Sequence, residues 1–333
     1  MSYFSNMRDP RVERTRAHDL EDIMFIAIAS ILCGAESWYD MEEFGKAKEE
    51  WLKTFLRLPG GIPSHDTFNR VFSALDPGEL EKGFVDWTQA VASLSAGEVV
   101  AIEGKSMRGT RDQGNKNIVH LVSAWAQENH LPLGQVKVEE KSNEITAIPR
   151  LLEVLVLKGC TVTIDAMGCQ KEIASKIIRK EADYILALKG NQGCLLEQAE
   201  ASFRFLHHAS SDEQTDAGHG RVERRRCLVI NDLSMIEQAG EWEGLQCLVK
   251  VESTRYFKCS GKEETDIRLS ITSLKADAKL LNNAIRYHWS IENPLHWVLD
   301  VAFDEDNSRK RSGFAAQNYS ILNRIALNLL KNE

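Results

Sequence analysis

Three acidic residues stand at positions where their carboxylates could act together. Glu103 follows a short apolar run at 99–102, Asp165 follows a buried run at 161–164, and Glu292 lies inside a predicted helix. Carboxylates at the carboxyl ends of adjacent strands face the crevice in which α/β proteins bind ligands. Mg²⁺ prefers hard oxygen ligands, and two such ions clamp the attacking and leaving oxygens of a phosphoryl displacement. The three residues therefore predict a Mg²⁺ site, in which Mn²⁺ can substitute, although an aspartate that ends a strand is more often a turn former.

The helix around Glu292 carries an unusual surplus of polar groups. His288 and His296 lie four residues on either side of Glu292, so an uninterrupted helix presents all three on one face. A second row holds Trp289, Asn293 and Trp297. The alternative is an ordinary packed amphipathic helix. A zinc site on the two histidines is disfavoured, because they are two turns apart and no third ligand follows.

Short clusters of basic residues are candidates for contacts to phosphate. One lies close behind Glu103, a dense run occupies 219–226, another occupies 309–311, and a Lys-Gly-Asn-Gln-Gly loop begins at Lys189. Arginine suits bidentate contacts to phosphate. The alternative for each cluster is a solvated surface or pairing with the acidic residues at 304–306.

Composition limits the class of protein. The 333 residues carry a net charge of −8 and 43% hydrophobic residues, which excludes a disordered chain and a uniformly basic coat. The seven cysteines are scattered without a C-x-x-C pair, which is typical of reduced thiols in a cytosol. The longest apolar stretch, at 23–33, is too short to span a bilayer. We therefore expect a cytoplasmic protein without a membrane partner.

The pattern of predicted elements divides the chain into four parts. Residues 1–97 are predicted to be a helical N-terminal domain, and 98–206 the first part of an α/β core. Three runs joined by short links predict antiparallel strands, and the strand–helix alternation that follows predicts parallel ones. Residues 207–275 are predicted to be a β-rich insertion, and 276–333 the C-terminal helices of the core. The predicted fold class is therefore α/β with a mixed sheet.

Several segments together resemble a known family, the insertion-sequence DDE transposases of the H-repeat-associated protein type. The resemblance covers nearly the whole chain. It is carried by LCGAESWYDMEEFG at 32–45, GIPSHDTFNRVFSALDP at 61–77, AIEGKSMRG at 101–109, EKSNEITAIPRLL at 140–152, TIDAMGCQKEIA at 163–174, DYILALKGNQG at 183–193, HGRVERR at 219–225 and HWSIENPLHWVLDVAFDED at 288–306.

The resemblance implies an RNase H-like core whose acidic triad maps onto Glu103, Asp165 and Glu292. It implies a nucleoid-associated bacterial enzyme that hydrolyses phosphodiesters and transfers strands at the ends of its element. The implied partners are DNA, as terminal inverted repeats and target, and a second copy of the chain on that DNA. The candidate DNA contacts are Lys105, Arg108, Lys189, Arg221, Arg224, His288, Trp289, Asn293, Trp297 and Arg309.

One departure from the family pattern bears on activity. The family has aspartate in an I-A-I-D-G-K motif, and this chain has Glu103 there. The extra methylene moves the carboxylate by on the order of 1 Å, which can cost about 100-fold in a reaction that depends on alignment. The family also continues beyond position 333 with more basic sequence. The alternative function is therefore a catalytically impaired, DNA-binding remnant of such a transposase.

Overall fold

The computed structural model describes residues 2–111, 118–139, 142–218 and 220–331. His219 of the basic run and the Glu140–Lys141 pair of the 140–152 segment lie outside them. The described chain forms a mixed α/β structure, as predicted, with one nine-stranded sheet in the order β3-β2-β1-β4-β5-β9-β8-β7-β6. Its strands are β1 (Val99–Met107), β2 (Val119–Ala126), β3 (Leu131–Lys137), β4 (Thr161–Ile164), β5 (Asp183–Leu188), β6 (Ser210–Gly218), β7 (Arg221–Ile230), β8 (Cys247–Phe257) and β9 (Lys262–Thr272).

The strands pair in two different ways. β2 is antiparallel both to β1 and to β3, whereas β4 is parallel both to β1 and to β5. β9 then joins β5 in the antiparallel sense, and β8, β7 and β6 continue the antiparallel ladder. The region at 207–275 thus extends the sheet itself. The sequence predicted three strands there, and the structure adds β6, which is so polar that no apolar alternation marks it.

Helices cover both faces of the sheet. They are α1 (Leu20–Leu32), α2 (Trp38–Ala47), α3 (Glu49–Leu52), α4 (His65–Ala74), α5 (Pro77–Val91), α6 (Glu144–Val154), α7 (Lys171–Arg179), α8 (Gly193–Phe205), α9 (Ala278–His288), α10 (Val298–Val301) and α11 (Ala315–Lys331). Side-chain hydrogen bonds cap the N-termini of several helices. Ser37 and Asp40 form a reciprocal capping box, and Ser64 accepts a hydrogen bond from the Thr67 N–H. None of the described helices is both long and apolar enough to cross a bilayer.

Alternation along β1 and β4 sorts their side chains between the two faces. Val100, Ile102, Val162 and Ile164 enter the core on the face covered by α6, α7 and α8. Ala101 points to the opposite face, where it joins a core built from α1, α4, α5 and α11. The N-terminal and C-terminal helices therefore share one hydrophobic core.

A buried ionic cluster ties this second core to the sheet. Glu305 and Arg324 are both completely buried and lie 2.8 Å apart. The ammonium of Lys105, on β1, is 3.3 Å from Glu305 and also pairs with Asp300 of α10. Although burial acts to raise the pKa of Glu305, the charges of Arg324 and Lys105 hold it below its usual value. The cluster thereby connects β1, α10 and α11.

We expect the Arg324→Leu substitution to lower the free energy of unfolding by about 3 kcal/mol, because the fully buried Glu305 loses its closer cationic partner and keeps only Lys105. Denaturant unfolding measures the change. The matched control is Arg150→Leu, which removes an exposed pair with Glu139 and should cost at most about 1 kcal/mol. Equal effects of the two substitutions would contradict the assigned importance of the buried cluster.

Candidate active site

The register of two parallel strands brings Glu103 and Asp165 to the same edge of the sheet. Ile102 of β1 pairs with Ile164 of β4, and each acidic residue is one position further along its own strand. Both side chains line one cavity of about 280 Å³. The sequence predicted that Glu103 follows the end of its strand, but β1 continues to Met107. β2 still pairs with β1 beyond the point where β4 ends.

Asp165 also serves as a turn former. Its Oδ1 accepts a hydrogen bond from the Met167 N–H at 3.1 Å and caps the short helical turn that follows. The turn and the proposed ligand role are therefore compatible, since a carboxylate has a second oxygen and further lone pairs.

Glu292 reaches the site from an irregular helix. After α9 the chain makes a 3₁₀ turn at Trp289–Ile291 and a π-helical turn at Glu292–Trp297. Pro294 lies inside the π turn, where a residue that lacks an N–H cannot continue the α-helical ladder. Ligand atoms of Glu103, Glu292 and His296 all lie within 4.8 Å of one another. The sequence pattern did not single out His296 for this set.

Two effects determine the ionisation of the site: burial of the carboxylates and repulsion between them. Burial, followed by the charge of Glu292, raises the pKa of Glu103 to about 8. Burial and the charge of Glu144 raise the pKa of Asp165, against the lowering effect of the Gly168 and Met167 N–H groups. Close like charges in a partly buried pocket are the electrostatic setting that a divalent cation relieves.

The two histidines of the predicted row have different surroundings. His288 is buried, and its Nδ1 lies 3.0 Å from the Thr163 hydroxyl of β4. His296 is also buried, with Nδ1 3.6 Å from a Glu292 oxygen and Nε2 without a hydrogen-bond partner among the described residues. Burial lowers the pKa of each ring to about 4. Both rings are therefore neutral at pH 7. His288 lines the cavity that holds Glu103 and Asp165, whereas His296 lies with Glu103 and Glu292.

Comparison with known proteins identifies the family. The family model for the transposase DDE domain matches residues 94–329, and the one described as DDE_Tnp_1-associated matches residues 1–88. The chain belongs to the DDE transposase family. The resemblance drawn from the sequence is thereby confirmed.

Relatives of this transposase match along the whole chain. It is 44% identical to the putative transposase YncI of Escherichia coli O157:H7, over 100% of this chain and 87% of that protein. It is 38% identical to the H repeat-associated putative transposase YhhI of Escherichia coli K12, over 100% and 90%. Among solved structures, a piggyBac transposase synaptic complex with hairpin DNA matches with a TM-score of 0.42 at 10% identity, over 99% of this chain and 74% of that one. That likeness is too distant to carry an argument.

The basic residues chosen from the sequence do not all lie at the surface of the transposase. Lys105 is only 8% exposed, and its ammonium belongs to the buried ionic cluster, so it does not face solvent in this conformation. Arg224 is exposed, but it forms two 2.8 Å hydrogen bonds to Glu213. Arg108 is exposed beside Asp306.

The remaining candidates lie nearer to the acidic cavity or on open surface. Lys189 lines that cavity, and its charge acts to lower the pKa of Asp165. Arg221 and Asn293 line a neighbouring cavity. The half-exposed Trp289 borders both cavities and stacks under Arg268, whose Cζ lies 3.9 Å from the ring centroid. Trp297 and Arg309 are exposed.

A polar chain behind β1 was not anticipated from the sequence. The Oε1 of Glu144 lies 2.7 Å from His120 Nε2, and His120 Nδ1 lies 2.8 Å from the Ser106 hydroxyl. The absence of a side chain at Gly104 leaves room for the Glu144 carboxylate, which a Cβ at that position would overlap. The sequence offered no signal, since Glu144 is an ordinary residue type for the first turn of a helix.

We expect Glu103→Gln to stabilise the metal-free protein at high pH. Because the folded-state pKa is raised, the stability contributed by the protonated carboxyl is complete below about pH 4.5 and is lost as the pH rises through about 8. Glutamine does not ionise and avoids that loss. Thermal unfolding in EDTA should give a Tm gain of roughly 2–4 °C at pH 9, which disappears at pH 5. Glu263→Gln, at an exposed position of β9, is the control. A gain that does not depend on pH would contradict the assignment.

Proposed function

We propose that this chain is a divalent-metal-dependent DNA transposase of a bacterial insertion sequence, which hydrolyses phosphodiesters at the element ends and transfers the resulting strands. The observation that carries the proposal is the register of β1 and β4, which puts Glu103 beside Asp165, together with the π turn that adds Glu292. Membership of the DDE transposase family supports the same reaction class.

An RNase H-like core is the fold that we propose for the catalytic part. Three antiparallel strands followed by two parallel ones, in the order β3-β2-β1-β4-β5, agree with it. Strands β6–β9 enter the chain between that core and α9, where the expected insertion lies. The helical segment at 1–97 is then the transposase-associated part.

The donor set fits a hard divalent cation. The carboxylates of Glu103, Asp165 and Glu292 would supply oxygen ligands for Mg²⁺, and the neutral His296, which lies with Glu103 and Glu292, would add a nitrogen that Mn²⁺ accepts more readily than Mg²⁺ does. Two cations bound there would offset charge on the attacking and leaving oxygens of an in-line displacement. Strand pairing fixes the backbone at Glu103 and immediately before Asp165, while Glu292 is half exposed on its helical turn.

DNA contacts in this proposal come from the accessible residues around the acidic cavity. Lys189 lines the cavity wall, and Arg221, Arg309 and Arg108 lie exposed at greater distance, where their charge can attract the phosphate backbone. Trp297 offers a half-exposed ring for stacking on a base. Because transposition joins two element ends, we further propose a homodimer on DNA and association with the bacterial nucleoid.

The catalytically impaired remnant remains the second candidate function. It is favoured by Glu103, whose carboxylate stands one methylene further from the backbone than the aspartate of the family pattern. Mg²⁺ demands near-ideal octahedral geometry, so such a displacement weakens its coordination.

Cleavage of a plasmid that carries both ends of the element, in Mg²⁺ or Mn²⁺, tests the proposal. We expect strand cleavage at the ends, reduced at least about 100-fold by Asp165→Asn or Glu292→Gln, because each removes a charged ligand. Glu263→Gln should cleave like the unaltered protein. Undiminished cleavage by Asp165→Asn would refute the assigned site.

The Glu103→Asp substitution separates the two candidate functions. For an active transposase adapted to glutamate, shortening the side chain misplaces the carboxylate by on the order of 1 Å and should lower the cleavage rate about 100-fold. For the remnant, the unaltered protein should bind the ends without cleaving them, and Glu103→Asp should restore cleavage. The same plasmid assay measures both outcomes.

A further inference from the structure

A second cavity lies beside the acidic one, on the same face of the sheet. Its volume is about 440 Å³, and it shares Arg268, Ile285 and Trp289 with the acidic cavity as a common wall. The outer parts of β7 and β8 form its floor, beyond the apolar residues that α9 covers. The two cavities are therefore neighbours along one continuous surface.

Arginine dominates the lining of this second cavity. Five of the lining residues are arginines: Arg221, Arg225, Arg255, Arg268 and Arg286. Glu223 is the one described acidic residue that lines the cavity. Arg255 lies 3.4 Å from Glu223, while Arg268 and Arg286 pair with Asp266 and Asp216 respectively. The cavity is thus a concentration of positive charge in a chain whose net charge is −8.

Arg225 is a buried positive charge for which the described residues provide no ion pair. It is 8% exposed, and its Nε makes no hydrogen bond. Among the described residues, no carboxylate lies within 4.0 Å of its guanidinium, and the charge of Glu223 opposes only in part the effect of burial, which lowers the pKa of Arg225. A guanidinium remains charged in a protein even when burial opposes ionisation. A buried charge without a partner destabilises the fold, so its presence points to a ligand of opposite charge.

We propose that this arginine cavity binds a backbone phosphate of the DNA strand that passes through the acidic site. The inference rests on the proposed function, which supplies the DNA. A guanidinium fork matches the geometry of phosphate oxygens and forms two parallel hydrogen bonds to them. Trp289, held under Arg268 in the common wall, links the phosphate site to the carboxylates.

The opposite face of the same strand provides a matched control. Arg226 follows Arg225 on β7, but it is exposed and its side chain points away from the cavity, since successive residues of a strand alternate between faces. Replacing either arginine by methionine changes the net charge by the same amount. Arg221, exposed at the mouth of the cavity, provides a second test position whose replacement does not disturb buried packing.

The experiment measures binding of a fluorescent 20-base-pair DNA duplex by anisotropy, in EDTA, between 50 and 200 mM salt. We expect Arg225→Met and Arg221→Ala each to weaken binding about tenfold at the lower salt concentration. The slope of log K against log salt should fall by about 1 for each, as the loss of one phosphate contact requires. Arg226→Met should leave both quantities unchanged, and the Tm of Arg225→Met should equal or exceed that of the unaltered protein.

Two results would overturn the inference. If Arg226→Met weakens binding as much as Arg225→Met does, only general charge attraction is present. If Arg225→Met lowers the Tm, while neither it nor Arg221→Ala weakens binding, Arg225 has a structural role. Cleavage is measured separately on the plasmid, so loss of binding in Arg225→Met together with absence of metal-dependent cleavage supports the phosphate site and refutes the proposed reaction.

Discussion

Repulsion among partly buried carboxylates is the constraint around which this molecule is organised. Glu103 lies beside Asp165 and has a ligand atom within 4.8 Å of Glu292, and burial, followed by the charge of Glu292, raises its pKa to about 8. The fold keeps them together by means that do not depend on their own interaction. Parallel pairing fixes the first two, and the helical segment that carries Glu292 is anchored by buried neighbours such as Ile291 and Leu295.

β1 contributes one residue to the acidic cavity and another, of opposite charge, to the buried ionic cluster. Glu103 and Lys105 lie two positions apart on the same face of the strand, one toward the cavity and the other toward α10 and α11. Lys105 is satisfied by Asp300 and Glu305, so the positive charge nearest in sequence to the acidic site stabilises the scaffold. A basic residue close in sequence to a catalytic position is therefore poor evidence for contact with a substrate.

Sequence reasoning succeeded where a local pattern determines the geometry. The apolar run before Asp165 predicted the end of β4, and the run before Glu103 predicted the start of β1, although β1 continues to Met107. Adjacency of those strands follows from ordinary α/β connections. It failed where tertiary context decides. Helical spacing around Pro294 predicted one face of a regular helix, but the chain makes a π turn at Glu292–Trp297. The edge strand β6 carries no apolar alternation, and the burial of Lys105 depends on residues about 200 positions away.

The unbroken ladder of hydrogen bonds across the sheet has a consequence for recognition. From β4, which precedes Asp165, to β7, which carries Arg225, the order runs through β5, β9 and β8. Four steps of about 4.8 Å give roughly 19 Å, a length that side-chain motion hardly alters. If one DNA strand occupies the acidic site and the arginine cavity as proposed, the sheet sets the distance between its two contacts. Only a strand whose phosphates match that distance would fill both sites, which would select for backbone shape without contact to any base.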